Sequence, residues 1–322
     1  MKNLIALISS SILALGGVMA PKEANVGAGN EIDVYFIAGQ SNAAGTSKLS
    51  TLDDKYKINY PNVLFYNGGD GVISEQNKWT YVRPGLGTQS LKDSEGNIIT
   101  AFGPELGMAR ALSNKDKKIA FIKYAYGGTA IFQNDSLNNT ATNKDNWHGP
   151  WDDATSGRLY NGFVSTAKEG LAKLKENGYS PVIKGLTWMQ GETDGEIQFN
   201  TGKYDAADKY EHNLTELFNH FRSELTTISG VDQSKMPIVF GEIYEYSTAV
   251  VQVRKIVEAQ KNVGELPNNY LINTGDLIID VNNDGWHWPG NQELELGVRF
   301  GEKLYELYHS TTYTPYSDGY EE

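Results

Sequence analysis

The feature that most constrains the fold is a regular alternation, from residue 31 onward, between short β-branched or aromatic segments and longer amphipathic segments. Several of the short segments are almost entirely apolar, as strands buried on both faces of a parallel sheet are. The longer segments repeat apolar residues at helical spacing. This order predicts an α/β fold of three layers, α/β/α, with a central parallel sheet. The predicted strands are residues 32–38, 63–66, 119–124, 185–189, 238–242 and 270–273, and the predicted helices are residues 104–112, 160–176, 204–224, 248–263 and 292–308.

No repeat of fixed period and no linker rich in Pro, Ser or Gly divides this pattern. We therefore predict one catalytic domain over residues 31–310, interrupted by a long loop over residues 132–158. The last residues, 311–322, are polar and acidic, which predicts a flexible tail.

The N-terminus has the pattern of a secretory signal peptide. Lys2 is followed by an uncharged run over residues 4–18, and the small residue Ala20 precedes Pro21. A membrane anchor is the alternative, but serines and glycines interrupt the run and it is short for a bilayer core of about 30 Å. We expect residues 1–20 to be a signal peptide cleaved near Ala20, which makes the mature protein secreted or periplasmic.

Charge and cysteine content exclude several functions. The formal net charge is -12 and no basic block offsets it, so binding to nucleic acid or to an anionic membrane surface is not expected. With no cysteine, the chain has no thiol nucleophile and no thiolate ligand for a metal. Any nucleophile must be a hydroxyl, a carboxylate or water, and we predict no cofactor. The oligomeric state is left open.

In an open α/β sheet, ligands bind at the carboxyl ends of the strands, so the loops leaving those ends should carry the chemistry. After the first strand, a glycine-flanked turn places Ser41 where a helix begins, with its hydroxyl above the sheet and its N–H able to meet an oxyanion. Gly127 and Gly128 follow another strand, and Gln190 and Glu192 follow a third. Taken singly, each also fits a structural role, such as a helix N-cap for Ser41.

A fourth loop near the C-terminus completes a nucleophilic set. Asp284 lies three residues before His287, so a tight turn can bring its carboxylate to one ring nitrogen and leave the other free as a base. With Ser41, these residues form a Ser, Asp and His constellation at one end of one sheet. Among the remaining histidines, His148 also has an Asp at this spacing, Asp145, whereas His212, His220 and His309 do not.

Two metal sites are weaker alternatives. His212 and His220 are two helical turns apart and would need ligands from elsewhere to share an ion. Residues 280–285 match the first six positions of a calcium loop, which would suit a calcium-dependent carbohydrate-binding module, but Asn291 stands where a bidentate Glu is expected. We therefore predict no bound metal.

Four blocks, in order, resemble the SGNH/GDSL-type hydrolases: residues 39–42 (Gly-Gln-Ser-Asn), 127–129 (Gly-Gly-Thr), 188–192 (Trp-Met-Gln-Gly-Glu) and 284–287 (Asp-Gly-Trp-His). Within these, the chain is most similar to the sialate O-acetylesterase-like group that includes carbohydrate esterase family 6, the acetyl xylan esterases. The resemblance covers residues 32–307. It implies a flavodoxin-like fold and metal-independent removal of O-acetyl groups from an acetylated polysaccharide or oligosaccharide.

By the same resemblance, Ser41 is the nucleophile, His287 the general base and then acid, and Asp284 the residue that orients His287. The oxyanion hole would be formed by the N–H groups of Ser41 and Gly128 and by the side-chain amide of Gln190. Many relatives in the wider superfamily have Asn where this chain has Gln190. The residues expected to contact substrate are Gln40, Glu192 and Trp286.

Acetyl xylan is the expected substrate, with a sialate O-acetylesterase or a lipid esterase of the same superfamily as alternatives. An α/β-hydrolase also has the chain order Ser, Asp, His, but the turn around Ser41 lacks the second glycine of Gly-x-Ser-x-Gly.

Overall fold

The computed structural model describes residues 30–114, 117–132, 147, 157–196, 205–279 and 285–309. The predicted signal peptide, the predicted acidic tail and most of the predicted loop over residues 132–158 lie outside the described residues. The strands are β1 (Glu31–Gly39), β2 (Ser47–Lys48), β3 (Tyr60–Asn67), β4 (Trp79–Val82), β5 (Ala101–Phe102), β6 (Ile119–Ala125), β7 (Ser180–Met189), β8 (Ile238–Gly241) and β9 (Asn269–Ile272). The α-helices are α1 (Ser41–Ala44), α2 (Glu105–Leu112), α3 (Arg158–Glu176), α4 (Glu192–Glu196), α5 (Asp205–Ser229), α6 (Val253–Gly264) and α7 (Gly290–Tyr308).

Seven of these strands form one sheet in the order β4-β3-β6-β1-β7-β8-β9. All neighbours in it are parallel except β4, which runs antiparallel to β3 at the edge. The predicted parallel sheet is confirmed. The sequence did not reveal β4, which is a short edge strand with partly exposed side chains. Strands β2 and β5 form a separate antiparallel pair.

Helices cover the sheet in two layers, with α2 and α7 packed together in one and α3, α5 and α6 in the other. Successive side chains of a strand point to opposite faces of the sheet, and two neighbouring residues of β7 contact one helix layer each. The Oγ1 of Thr187 lies 3.7 Å from the sulfur of Met108 on α2. The ring of Trp188 lies 5.9 Å from that of Phe221 on α5. Both faces of the central strands are therefore core.

Several element boundaries differ from the predictions, among them the end of α5 at Ser229 instead of residue 224 and the starts of α6 and β7. Helix α6 begins at Val253 rather than at residue 248. Before it, the Oγ of Ser247 accepts the N–H of Ala249 and donates to the carbonyl of Gly285, which holds this stretch as a turn. Strand β7 begins at Ser180, five residues earlier than predicted, because it pairs with β1 along its whole length.

No helix within the described residues is both long and apolar enough to span a bilayer.

Candidate active site

The three central strands end at the same level. In the sheet register, Gly39 at the end of β1 stands opposite Ala125 of β6 on one side and Met189 of β7 on the other. The loops that leave these strands therefore lie side by side at the carboxyl end of the sheet, as the sequence predicts. They contain the predicted residues Gln40, Ser41, Gly128, Gln190 and Glu192.

The turn after β1 requires glycine. Gly39 has φ of +136°, and a Cβ on it would lie 2.1 Å from the carbonyl oxygen of Met189. This close approach lets the chain reverse directly into α1, whose first residue is Ser41. Ser41 is 8% exposed, and its N–H meets no acceptor among the described residues, as expected for the first turn of a helix.

The glycine loop after β6 faces this turn. A Cβ placed on Gly127 would lie 3.5 Å from the Cβ of Ser41. Gly128 has φ of +66° with open space around it, and its N–H also lacks an acceptor in the described part of the chain. Two of the three predicted oxyanion donors, the N–H groups of Ser41 and Gly128, are thus available to a ligand.

The third predicted donor is engaged within the protein. Gln190 is fully buried, and its Nε2 donates to the carbonyl of Thr129 at 3.1 Å and to Oδ2 of Asp194 at 2.6 Å. Its Oε1 accepts the hydroxyl of Tyr210 at 3.1 Å. A primary amide has two N–H donors, and both are used here. The hydrogen bonding therefore argues against the oxyanion role predicted for Gln190 and gives it a bracing role instead.

Asp194 is a buried acid whose hydrogen-bond donors only the structure shows. Its carboxylate accepts the N–H of Ile131 at 2.9 Å and of Phe132 at 3.0 Å, as well as the amide of Gln190. The carboxylate is completely buried, and burial raises its pKa to about 6, although these hydrogen bonds act in the opposite direction. Asp194 and Gln190 together tie the glycine loop to the end of β7.

The loop that carries His287 is tied to the serine turn by Asn42. The Nδ2 of Asn42 donates to Oε1 of Glu192 at 2.8 Å and to the carbonyl of Trp286 at 3.1 Å. Ser41 precedes Asn42 in the chain and His287 follows Trp286, so the bond between Asn42 and Trp286 links the two loops next to these residues. The structure thereby brings the predicted nucleophile and the predicted base to the same edge of the sheet.

Glu192 lies close to this histidine. Burial raises the pKa of Glu192, and the nearby His287 acts in the opposite direction. Its second carboxylate oxygen, Oε2, is buried with no hydrogen-bond partner among the described residues. Gln40 is also buried, and its Oε1 accepts the N–H groups of Gly191 and Thr193, each at 3.4 Å. This leaves the Nε2 of Gln40 able to donate to a ligand.

A buried ion pair supports the serine turn from below. The Nζ of Lys123 donates to Oε2 of Glu105 at 2.7 Å and to the carbonyl of Ala44, the last residue of α1, at 2.8 Å. Both charged side chains are completely buried. A lysine within an otherwise apolar strand is unusual, so the sequence alone could have singled out Lys123. Its partner Glu105 is apparent only in the fold.

Asp284, the predicted orienting acid, lies outside the described residues, and so do residues 280–283 of the calcium-like loop. Within the described residues, no three His, Asp or Glu side chains form a group that could hold a metal ion.

The mostly parallel sheet, the helices on its two faces and the loops at its carboxyl end match the architecture expected of an SGNH-type hydrolase. The chain belongs to the sequence family described as carbohydrate esterase, sialic acid-specific acetylesterase, which matches residues 31–306. It is therefore a carboxylic ester hydrolase of the carbohydrate acetylesterase group, with an acetylated carbohydrate as the substrate class.

Solved structures with this fold include a protein from Arabidopsis thaliana, 18% identical, which covers 87% of this chain and 100% of its own with a TM-score of 0.60. NanS is 15% identical, over 88% of this chain and 99% of its own, with a TM-score of 0.58. A carbohydrate acetylesterase from Xanthomonas citri is 18% identical, over 87% of this chain and 57% of its own, with a TM-score of 0.55. At these identities the likeness concerns the fold alone, and it confirms the predicted α/β/α architecture. Among curated protein sequences, none matches the chain.

Proposed function

We propose that the protein is a serine carbohydrate esterase that removes O-acetyl groups from a glycan through an acetyl-enzyme intermediate. The observation that carries the proposal is the position of Ser41 at the start of α1, against Gly127 of the glycine loop. The N–H groups of Ser41 and of Gly128, the next residue of that loop, have no acceptor among the described residues. Two unbonded backbone donors in loops beside a hydroxyl can stabilise the oxyanion of an ester under attack.

The proposed reaction has two steps, acetylation of Ser41 and hydrolysis of the acetyl-enzyme. The Oγ of Ser41 attacks the acetyl carbonyl carbon while His287 accepts the hydroxyl proton. The two N–H groups bind the oxyanion. When the tetrahedral intermediate collapses, the bond from carbon to the sugar oxygen breaks, and His287 returns the proton to that oxygen. Water, deprotonated by His287, then attacks the acetyl group on Ser41, which releases acetate and restores the serine.

Asp284 completes the proposed triad by orienting His287, because an acid three residues before a histidine can reach its ring within one tight turn. Glu192 is the other candidate for this role, since its buried carboxylate lies near His287. Gln40 and Trp286 are proposed to contact the sugar.

Acetyl xylan is the first candidate substrate, because the four sequence blocks resemble the group of esterases that includes the acetyl xylan esterases. The family description favours O-acetylated sialic acid as the second. We also propose that residues 1–20 are a signal peptide, that residues 31–310 form one domain and that the enzyme is exported. The mature exported protein should then begin at Pro21, which N-terminal sequencing checks.

The central test is Ser41→Ala. Loss of the only proposed nucleophile should lower kcat on p-nitrophenyl acetate and on acetylated glycans by several orders of magnitude, with little change in melting temperature. The matched control is Ser50→Ala, a nearby exposed serine, which should keep full activity. Turnover near that of the wild type in Ser41→Ala would disprove the mechanism, and loss of activity in EDTA that calcium restores would favour a metal site.

The orienting acid is tested by comparing Asp284→Asn, Asp280→Asn and Glu192→Gln. If Asp284 orients His287, its amide should lower kcat by up to about 10⁴-fold, and Asp280→Asn should have much less effect. If both loop variants lose calcium, stability and activity together, the loop binds an ion instead. A large loss confined to Glu192→Gln would move the orienting role to that residue.

A further inference from the structure

A cavity of about 290 Å³ opens directly beside His287, between the loop before α7 and the segments around β2 and residues 91–99. The walls combine apolar side chains, such as Leu91 and Ile99, with two lysines, Lys48 and Lys92. No acidic residue lines it among the residues that the structure describes.

Neither lysine is neutralised by a partner among the residues that the structure describes. In the described part of the chain, Lys48 and Lys92 form no ion pair and no side-chain hydrogen bond. The acid nearest to Lys92 in the chain, Asp93, is committed to its own turn, where it accepts the N–H groups of Glu95 and Asn97, each at 2.9 Å. The protein has a net charge of -12, whereas the two ammonium groups give this cavity a local positive charge.

The cavity is held in place next to the proposed base. The Oγ of Ser47 donates to the carbonyl of Trp288 at 2.7 Å. Lys48 follows Ser47 in the chain and His287 precedes Trp288, so this bond links the two segments next to both residues. Lys48 in turn pairs with Ala101 across the β2–β5 ladder. Walls fixed in this way avoid part of the ordering cost of binding a ligand.

We propose that this cavity is a subsite for a carboxylate-bearing sugar, with Lys48 and Lys92 as the residues that select it. The inference rests on the proposed function and names the kind of glycan that the site prefers. Two ammonium groups suit a carboxylate, and the apolar walls suit the faces of a sugar ring. The carboxylate could belong to the acetylated sugar itself, as in a sialic acid, or to a neighbouring residue, as in an acetylated xylan that carries uronic acid.

The test is the selectivity of the double variant Lys48→Gln/Lys92→Gln. We compare kcat/KM on three substrates: an O-acetylated sialic acid, an acetylated xylo-oligosaccharide with a uronic acid branch, and the same oligosaccharide without the branch. The ratio of acidic to neutral kcat/KM should fall by about tenfold or more, mainly through KM, because charge-assisted hydrogen bonds to the carboxylate are lost. The acidic substrate that shows the fall identifies the source of the carboxylate. The wild-type preference should also weaken as salt is raised.

The matched control is Lys175→Gln/Lys235→Gln, which removes the same charge at the opposite end of the sheet and should leave the ratio unchanged. An unchanged ratio in the cavity variant, or a wild-type enzyme that does not prefer either acidic substrate, overturns the inference. Failure of the proposed function is distinguishable, because it would appear as activity in Ser41→Ala.

Discussion

Ion pairs lie at both ends of strand β1, and the two sets of pairs differ in burial. At its amino end, Asp33 lies 2.7 Å from Lys117 and 3.8 Å from Lys184, and all three side chains reach water. At its carboxyl end, the ion pair between Lys123 and Glu105 is 2.7 Å long and completely buried. The geometry of the pairs is similar, so the difference lies in their surroundings.

Burial determines whether a charged pair can hold the structure around it in one geometry. An ion pair in water is screened and can part at little cost, whereas a buried charge that loses its partner is left desolvated. The buried groups at the carboxyl end therefore hold the serine turn, the glycine loop and the histidine loop in one arrangement. The exposed charged groups at the amino end are solvated and constrain the structure around them much less.

The largest effect should come from breaking the buried pair with Lys123→Met. Glu105 would be left as an uncompensated buried charge, so the free energy of unfolding should fall by about 3–5 kcal/mol, measured by urea denaturation. Adding Glu105→Gln to this variant removes the orphaned charge and should recover part of the loss. A loss below about 1 kcal/mol in the single variant would show that the buried pair contributes no more to stability than an exposed pair.

The next effect concerns pH. The pKa of Asp194 is about 6 in the folded protein against 3.8 for its ordinary value. Above about pH 4 the unfolded chain ionises first, so stability should fall between about pH 4 and pH 6, by at most about 3 kcal/mol from this group. Asp194→Asn should lack this fall. Parallel curves of unfolding free energy against pH for the two proteins would contradict the assignment.

A smaller effect is expected on catalysis. Asp194→Asn replaces one acceptor by a donor that faces the N–H groups of Ile131 and Phe132, so the glycine loop should relax and kcat should fall by about tenfold to a hundredfold. The control is Asp208→Asn, an exposed acid on α5. Equal rates in both variants would show that the brace does not position the Gly128 N–H.

The smallest effect should come from Asp33→Asn at the amino end of β1. Because its lysine partners are solvated, the free energy of unfolding should change by less than about 1 kcal/mol, and the change should shrink further in high salt. A loss comparable to that of Lys123→Met would remove the contrast between the two ends.

Much of the fold could be predicted because its signals are local. Apolar runs marked six of the seven strands of the main sheet, and helical spacing marked helices such as α2 and α7. Strand β4 was missed, since a short edge strand with exposed residues has no apolar run. The start of α6 was placed too early, because Ser247 holds the preceding stretch through a contact with residue 285 that spacing does not report.

The amino-acid sequence alone was enough to predict the α/β class, the succession of strands and helices, and the loops that carry Ser41, Gly128 and Glu192, because periodicity and strand ends are properties of neighbouring residues. The strand order, the burial of the ion pair of Lys123 and the bonding of Gln190 became apparent only in the folded structure. Several of these hydrogen-bond partners lie far apart in the chain: 61 residues separate Gln190 from Thr129, and 79 separate Lys123 from Ala44. Local spacing cannot encode such pairs, since they exist only once the strands lie side by side.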